Sequence, residues 1–294
     1  MPRGARNAVA LIVLAAACSR GLPAPDADEQ AQLARAALVA PAPSAGCAHG
    51  GLPAVRGTRV RITVDGEERS YLLDAPAVPA DRPLPVVISL HGFRGSARSQ
   101  RWWTGFGRLA RAEGFIAVHP EGRDDVQLLN TTGRGWDLRP SDTRDAAFVA
   151  LVLDRLEHER CVDRRRVFAT GMSNGGFFAN LLGCRLADRF AAIAPVAGAM
   201  PLAGCVPAQP VAVLLVHGRA DRLVRPPVVR AAHAWWTRAD GCSTSTQHDG
   251  CVHDEGCAAD VVYCEGAQAH RWPGDATERI WRFFQAHPRA SMSG

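Results

Sequence analysis

Thr170-Gly171-Met172-Ser173-Asn174-Gly175-Gly176 is the stretch whose reading decides the fold. It contains a Gly-x-Ser-x-Gly sequence. Arg166-Val167-Phe168-Ala169 before it is a short β-compatible run, and Phe177, Leu181 and Cys184 after it recur at helical spacing. Strand, tight turn and helix are therefore expected in succession. Glycines flank the serine because the chain reverses so sharply that a Cβ on either side would clash, and the strained turn lifts the hydroxyl above the sheet. That geometry is a nucleophile elbow. The bare pattern arises by chance in a chain with 28 glycines; the strand and helix around it set this occurrence apart from a simple Gly/Ser turn.

The chain has 294 residues, 47% of them hydrophobic, enough for one large domain with a substantial core. Two domains are not required. The formal charge of +5 comes from arginine alone, since the sequence contains no lysine, which points to compositional bias more than to a binding surface. Arg164-Arg165-Arg166 is too short a run to indicate nucleic acid, and no arginine cluster interleaves with aromatics as single-strand binders require. No nucleic-acid partner is expected.

Arg3 and Arg6 precede an apolar stretch, Ala8 to Ala17, that ends in small residues and Cys18. This is the arrangement of a signal peptide over residues 1–18, too short to span a bilayer. Leu14-Ala15-Ala16-Ala17-Cys18 approaches a bacterial lipobox but has Ala15 where leucine usually stands, so membrane attachment is expected only through a lipid at Cys18, a point left open. Residues 19–51 are Ala/Pro-rich with little periodicity and are expected to be a flexible linker. Residues 52–288 are expected to be the catalytic domain. Besides Cys18 there are eight cysteines, an even number suited to pairing in an oxidising compartment. Cys184 with Cys205, and pairing within the Cys242 to Cys264 stretch, are the expected bridges. Spacings of nine, six and seven among the last four cysteines offer no C-x-x-C pair, so no metal site is expected.

Along the domain, Val60–Val64 and Tyr71–Leu73 read as strands about an Asp65-Gly66 hairpin turn, at an antiparallel sheet edge. Pro85–Leu90 is a continuous apolar run suited to a central strand and ends in His91-Gly92-Phe93. A helix with Trp102, Trp103 and Phe106 follows, then a buried strand Phe115–Val118; this is the βαβ rhythm of a parallel sheet with helices on both faces. Arg123 to Thr143 is expected to be a long irregular loop carrying Gly135-Trp136-Asp137 near the strand ends. After the elbow, Phe190–Val196, Val211–Val216 and Val261–Tyr263 read as further strands, and a helix with Ile280, Phe283 and Phe284 closes the chain.

A serine hydroxyl is a poor nucleophile at neutral pH and requires a base, itself oriented by an acid. The order Ser, Asp, His belongs to α/β-hydrolases. Asp221 follows a continuous apolar strand on the elbow's edge of the sheet; Asp240, at the end of a helix, is the weaker acid. His270 follows the last strand in a loop free to reach the elbow. His248 and His253 lie between cysteines, His233 and His287 on helices, and His91 in a turn where a structural role fits better. A general base must be neutral to accept the serine proton, so rates should rise as His270 deprotonates. The oxyanion hole is expected from Asn174 N–H and the Gly92-Phe93 turn.

Leu90-His91-Gly92, Gly171 to Gly176, His217-Gly218-Arg219-Ala220-Asp221 and His270-Arg271-Trp272-Pro273-Gly274 together resemble the polyhydroxybutyrate depolymerase and feruloyl esterase group of secreted carbohydrate esterases, from about Cys47 to Ala286. The resemblance implies an α/β-hydrolase in which Ser173, His270 and Asp221 cleave a carboxylic ester through an acyl-enzyme, with no metal or organic cofactor. Two departures shape the expected substrate. No cysteine stands beside Trp136, and no polymer-binding module is seen after the last helix, which favours soluble, feruloyl or acetyl esters over polyester granules. Trp136, Trp272, Trp102 and Trp103 are candidates for an aromatic acyl pocket, with core or rim packing as the alternative for each. Acyl transfer on the same fold, or non-catalytic binding, are the competing functions.

Overall fold

The structure, a computed structural model, describes residues 22–289 except 50, 78–81, 129, 140 and 200–204. The stretch expected to be a signal peptide, and Cys18 at its end, lie outside the described residues. Asp26 opens a helix, α1 (Ala27–Ala37), by accepting from Glu29 N at 2.8 Å, and Asp28, Glu29 and Arg35 suit the ends of its dipole. Gln32 donates to Asp260 at 2.5 Å, Pro43 bridges Asp163, and a 3-10 turn, Ala45–His49, carries Cys47 into a disulfide with Cys161. The expectation of a flexible linker over 19–51 is therefore corrected for residues 22–49. Ala/Pro-rich composition concealed a capped helix and a covalent tie.

Asp65 and Gly66, at φ 48° and 83°, close the expected hairpin between β1 (Val55–Val64) and β2 (Glu67–Ala75). Then follow β3 (Leu84–Leu90), α2 (Ala97–Thr104), α3 (Phe106–Glu113), β4 (Ile116–Pro120), β5 (Arg123–Leu128), β6 (Thr131–Gly135), α4 (Arg144–Glu159), β7 (Val162–Met172), α5 (Asn174–Arg185), β8 (Ala192–Val196), β9 (Ala212–Gly218), α6 (Pro226–Ala239), β10 (Thr244–His248), β11 (Cys251–Glu255), β12 (Val261–Gly266) and α7 (Ala276–Ala286).

Ten strands form one sheet in the order β1-β2-β4-β3-β7-β8-β9-β12-β11-β10. The six from β4 to β12 run parallel, and antiparallel pairs flank them at both edges. The parallel strands are covered on both faces, which is why they read as unbroken apolar runs. Phe148 of α4, Phe178 of α5 and Trp236 of α6 pack on one face with Val86, Ile88 and Leu215. Phe106 of α3, with Ile280 and Phe284 of α7, packs on the other with Val87, Phe168 and Leu214.

The stretch expected to be an irregular loop, Arg123 to Thr143, contains two strands, and two more lie in the cysteine-rich stretch after α6. β5 and β6 form a separate two-stranded hairpin, and β10 and β11 extend the main sheet. Both are short, polar and paired locally, so they lack the alternation that marks a half-buried strand. The disulfides are Cys47–Cys161, Cys184–Cys205, Cys242–Cys257 and Cys251–Cys264. The expected Cys184 pair and the pairing within 242–264 hold, and those last four sulfurs are not available as metal ligands. Among the described residues no helix is long and apolar enough to cross a membrane.

Candidate active site

The elbow forms where β7 meets α5. Ser173 sits at φ 55° and ψ −122°, a strained conformation for a residue with a side chain, costing about 1–3 kcal/mol. The surrounding backbone holds it there: Ser173 N donates to Val196 O at 2.9 Å, and Phe177 N donates to Ser173 O at 2.8 Å. A Cβ at Gly175 would collide with the carbonyls of Leu90 and His91, so only glycine lets α5 start this close to the end of β3.

Asp221 and His270 come from the turns after β9 and β12, neighbouring parallel strands whose ends emerge together. His270 Nδ1 lies 2.7 Å from Asp221 Oδ2. The other oxygen, Asp221 Oδ1, accepts from Leu223 N and Val224 N, both at 2.9 Å. The carboxylate is buried and fixed on both sides, so the imidazole is held with its Nδ1–H toward the acid and Nε2 left to accept a proton. Asp240 plays no part here: it caps the end of α6, and burial pushes its carboxyl up to about 7.

His91 is not a free base. Its Nδ1 is 2.8 Å from Gly92 O, its Nε2 accepts from Gly122 N at 2.9 Å, and burial holds it below the usual histidine range. A neutral ring bonded at both nitrogens fixes the turn that carries Gly92 and Phe93. An ideal Cβ at Gly92 would lie 3.4 Å from Ser173 Cβ, which places this turn directly against the serine. Among the other histidines, His217 is buried beside Asp221 with neither ring nitrogen hydrogen-bonded among the described residues, and burial lowers its pKa.

The β5–β6 hairpin lies over the same turn. Arg94 N donates to Arg134 O at 2.6 Å, and the Phe93 ring is so close to Gly133 and Gly135 that a Cβ at either would meet it at 3.1 and 3.0 Å. Asn174 clamps the hairpin's exit: Trp136 N donates to its Oδ1 at 2.8 Å, and its Nδ2 donates to Trp136 O at 3.0 Å. The side chain of the residue after the serine is thus structural, a role that sequence reasoning missed because Asn174 was read only for its backbone N–H.

The four tryptophans separate. Trp136 is completely buried, stacks on Phe178 at 5.0 Å and donates its indole N–H to His91 O at 2.8 Å. A fully enclosed ring cannot line an open acyl pocket, so its assignment to substrate binding is corrected to core packing behind the Gly92-Phe93 turn. Trp272 is half-buried, edge-on to Phe106, and donates to Thr277 Oγ1 at 2.9 Å. Trp102 and Trp103 lie on the outer side of α2, 78% and 62% exposed. The apolar residues that flank the site residues in sequence are Phe93, Met172, Phe177 and Leu223.

A mostly parallel sheet, an elbow serine at the end of a central strand and an acid–histidine pair after later strands define an α/β-hydrolase. Residues 69–204 match the esterase polyhydroxybutyrate depolymerase family. NocK, a protein named as an esterase from Nocardia uniformis subsp. tsuyamanensis, is 33% identical over 250 residues, covering 81% of this chain and 65% of NocK. The chain therefore spans slightly less than two thirds of that relative. Feruloyl esterase D of Neurospora crassa is 27% identical over 284 residues, covering 84% of this chain and 92% of its own length. Among solved structures, the acetyl xylan esterase from Aspergillus awamori superposes with a TM-score of 0.60 at 16% identity, over 78% of this chain and all of the other, a likeness of fold. The chain thus carries the esterase polyhydroxybutyrate depolymerase domain over residues 69–204 and resembles feruloyl esterases over most of its length, on the fold of an α/β-hydrolase.

Proposed function

We propose that this protein is an exported serine esterase that hydrolyses feruloyl or acetyl esters of polysaccharide, or short hydroxyalkanoate esters, through Ser173, His270 and Asp221. The observation that carries the reading is the 2.7 Å contact of His270 Nδ1 with Asp221 Oδ2, at the same edge of the parallel sheet as an elbow serine in strained backbone. Ser173 Oγ attacks the ester carbonyl carbon and passes its proton to His270 Nε2. The negative oxygen that develops is received by Asn174 N–H, at the first turn of α5, and by Phe93 N–H in the turn held by His91. The protonated imidazole returns its proton to the leaving alkoxide, leaving an acyl-serine. Water then attacks that acyl group with the same histidine as base, releasing the acid. None of these steps calls on a metal or organic cofactor.

Phe93, Phe177 and Leu223, which flank the site residues in sequence, are the apolar side chains this reading offers to the acyl group. Support for the substrate class comes from the names of the relatives, and support for export from four disulfides, which persist in oxidising compartments. Initial rates on methyl ferulate, acetylated xylan and a soluble 3-hydroxybutyrate oligomer test the reading, with Ser173→Ala as blank and fluorophosphonate labelling as a count of active serines. Turnover and labelling that both vanish in the variant are the expected result. Undiminished turnover in Ser173→Ala overturns the assignment.

A further inference from the structure

We propose that Trp102 and Trp103 of α2 form a docking platform for an acidic polysaccharide, holding a uronate-bearing chain beside the active site. The proposal rests on the esterase reading for the polymer's presence at this rim, and it concerns residues outside the chemistry.

The two indoles are the most exposed aromatic side chains among the described residues, and they are adjacent on one short helix, with ring centroids 6.4 Å apart and planes inclined at 64°. An exposed indole leaves a large apolar surface in water and gains nothing from burial on folding, so a consecutive pair calls for a ligand. The helix that displays them is anchored with unusual firmness. Ser96 and Ser99 form a capping box, Ala97 N donates to Glu121 Oε1 at 3.0 Å, Gln100 donates to Ser89 at 3.1 Å, and Arg101 makes two bonds, 2.6 and 2.8 Å, to the buried carboxylate of Asp74. A rigid support on the inner face presents two rings outward at little entropic cost to binding.

The platform is tied to the site at both ends. Its N-terminus leaves the Gly92-Phe93 turn. At its C-terminus, Thr104 O accepts from Thr277 Oγ1 at 2.5 Å, and that hydroxyl in turn accepts from Trp272, two residues beyond His270. A chain held on α2 thus lies on the helix that leaves the turn packed against Ser173 and that is tied at its other end to the segment following His270.

Charge selects the kind of chain. Residues 82–112 contain six arginines and no aspartate or glutamate. Arg101 and Arg111 are committed to Asp74, while Arg94, Arg98 and Arg108 are exposed and make no ion pair among the described residues. Arg98 precedes Trp102 by four positions and therefore shares its face of the helix. Aromatic faces stack on the apolar faces of pyranose rings, and guanidinium groups pair carboxylates in two-point geometry. Together they fit a sugar chain bearing carboxylates. A membrane surface fits less well, because the rest of the exposed face is serine and arginine with no aliphatic side chain to enter the acyl region.

Affinity electrophoresis tests this with the full chain carrying Ser173→Ala, so that the polymer stays intact. Gels contain xylan bearing glucuronate, neutral xylan or no polymer, and parallel samples are sedimented with phosphatidylglycerol vesicles. Retardation by the acidic xylan, relieved by salt, is expected. Trp102→Ala with Trp103→Ala should weaken it at least tenfold at unchanged thermal midpoint, and Arg98→Gln should weaken it in the acidic polymer alone. Equal retardation of the tryptophan variant overturns the platform, equal retardation by neutral xylan overturns the acidic class, and tryptophan-dependent sedimentation with vesicles in place of retardation assigns the surface to membrane. Because no step reads hydrolysis, polymer binding without turnover of any ester in the Ser173 parent overturns the esterase reading alone.

Discussion

Asp221 has two tasks that a single substitution separates. Its Oδ1 anchors the Leu223 and Val224 amides, and its Oδ2 faces His270 Nδ1. In Asp221→Asn one amide group must meet both, and the oxygen best serves the two backbone donors. The amide nitrogen then faces Nδ1, which must become the acceptor, and the imidazole carries its proton on Nε2, where it cannot take the serine proton. We expect kcat on methyl ferulate to fall by about 10⁴-fold with far-UV dichroism unchanged. A loss below about tenfold would place the acid elsewhere. The candidate residues Ser173, Asp221 and His270 are legible in sequence because each sits in a short motif after a strong apolar strand, and the parallel order of those strands carries their ends to one edge of the sheet. The amide side chain of Asn174 was not legible, since its partner, Trp136, lies 38 positions away across an unforeseen hairpin.

That hairpin belongs to the scale of elements. β5 and β6 touch the rest of the site through Arg94 N, the Phe93 ring and the Asn174 clamp. Asn174→Ala keeps the backbone N–H proposed to receive the oxyanion and leaves two buried backbone groups of Trp136 unpaired, at about 1–3 kcal/mol each. The expected outcome is a thermal midpoint lowered by several degrees and a reduced kcat/KM, with fluorophosphonate labelling of Ser173 retained. Labelling lost entirely would mean that the side chain acts on the serine itself. The other element that sequence concealed is the N-terminal segment. Its helix has one buried residue, Ala36, so no apolar stripe betrayed it, and it is held by side-chain contacts and by Cys47–Cys161. Removing both cysteines opens a closed loop of 114 residues. In the chain-entropy account such a loop is worth about 4–5 kcal/mol. Calorimetry of Cys47→Ala with Cys161→Ala should show a midpoint lower by about 8 °C or more, and an unchanged midpoint would mean that the segment contributes nothing to folding.

At the scale of the whole molecule, buried ionisable groups pull stability in opposite directions as pH changes. His91, His119 and His217 are enclosed and held below the usual histidine range by desolvation, His119 down to about 3. Their neutral forms fit the fold and the unfolded chain protonates first, so their contribution is present above about pH 6.5 and is lost as acid titrates them. Asp240 acts in the reverse sense. Its side chain is enclosed at the end of α6, one oxygen lacks a hydrogen bond, and its carboxyl is pushed from 3.8 up to about 7 by burial. Below about pH 4 both folded and unfolded states carry the proton and the group is neutral to stability. As pH rises from there to 7, the unfolded chain ionises while the folded one stays protonated, so stability falls and the full penalty stands above pH 7. Asp240→Asn removes that penalty without touching the histidines. The thermal midpoint of the variant should match the parent near pH 4, rise above it progressively through pH 7, and hold a constant advantage of several degrees at pH 8. Because the histidine contribution is common to both proteins, the difference between the two curves isolates this one carboxyl. Parallel curves from pH 4 to 8 would show that Asp240 is solvated in the folded protein and ionises normally.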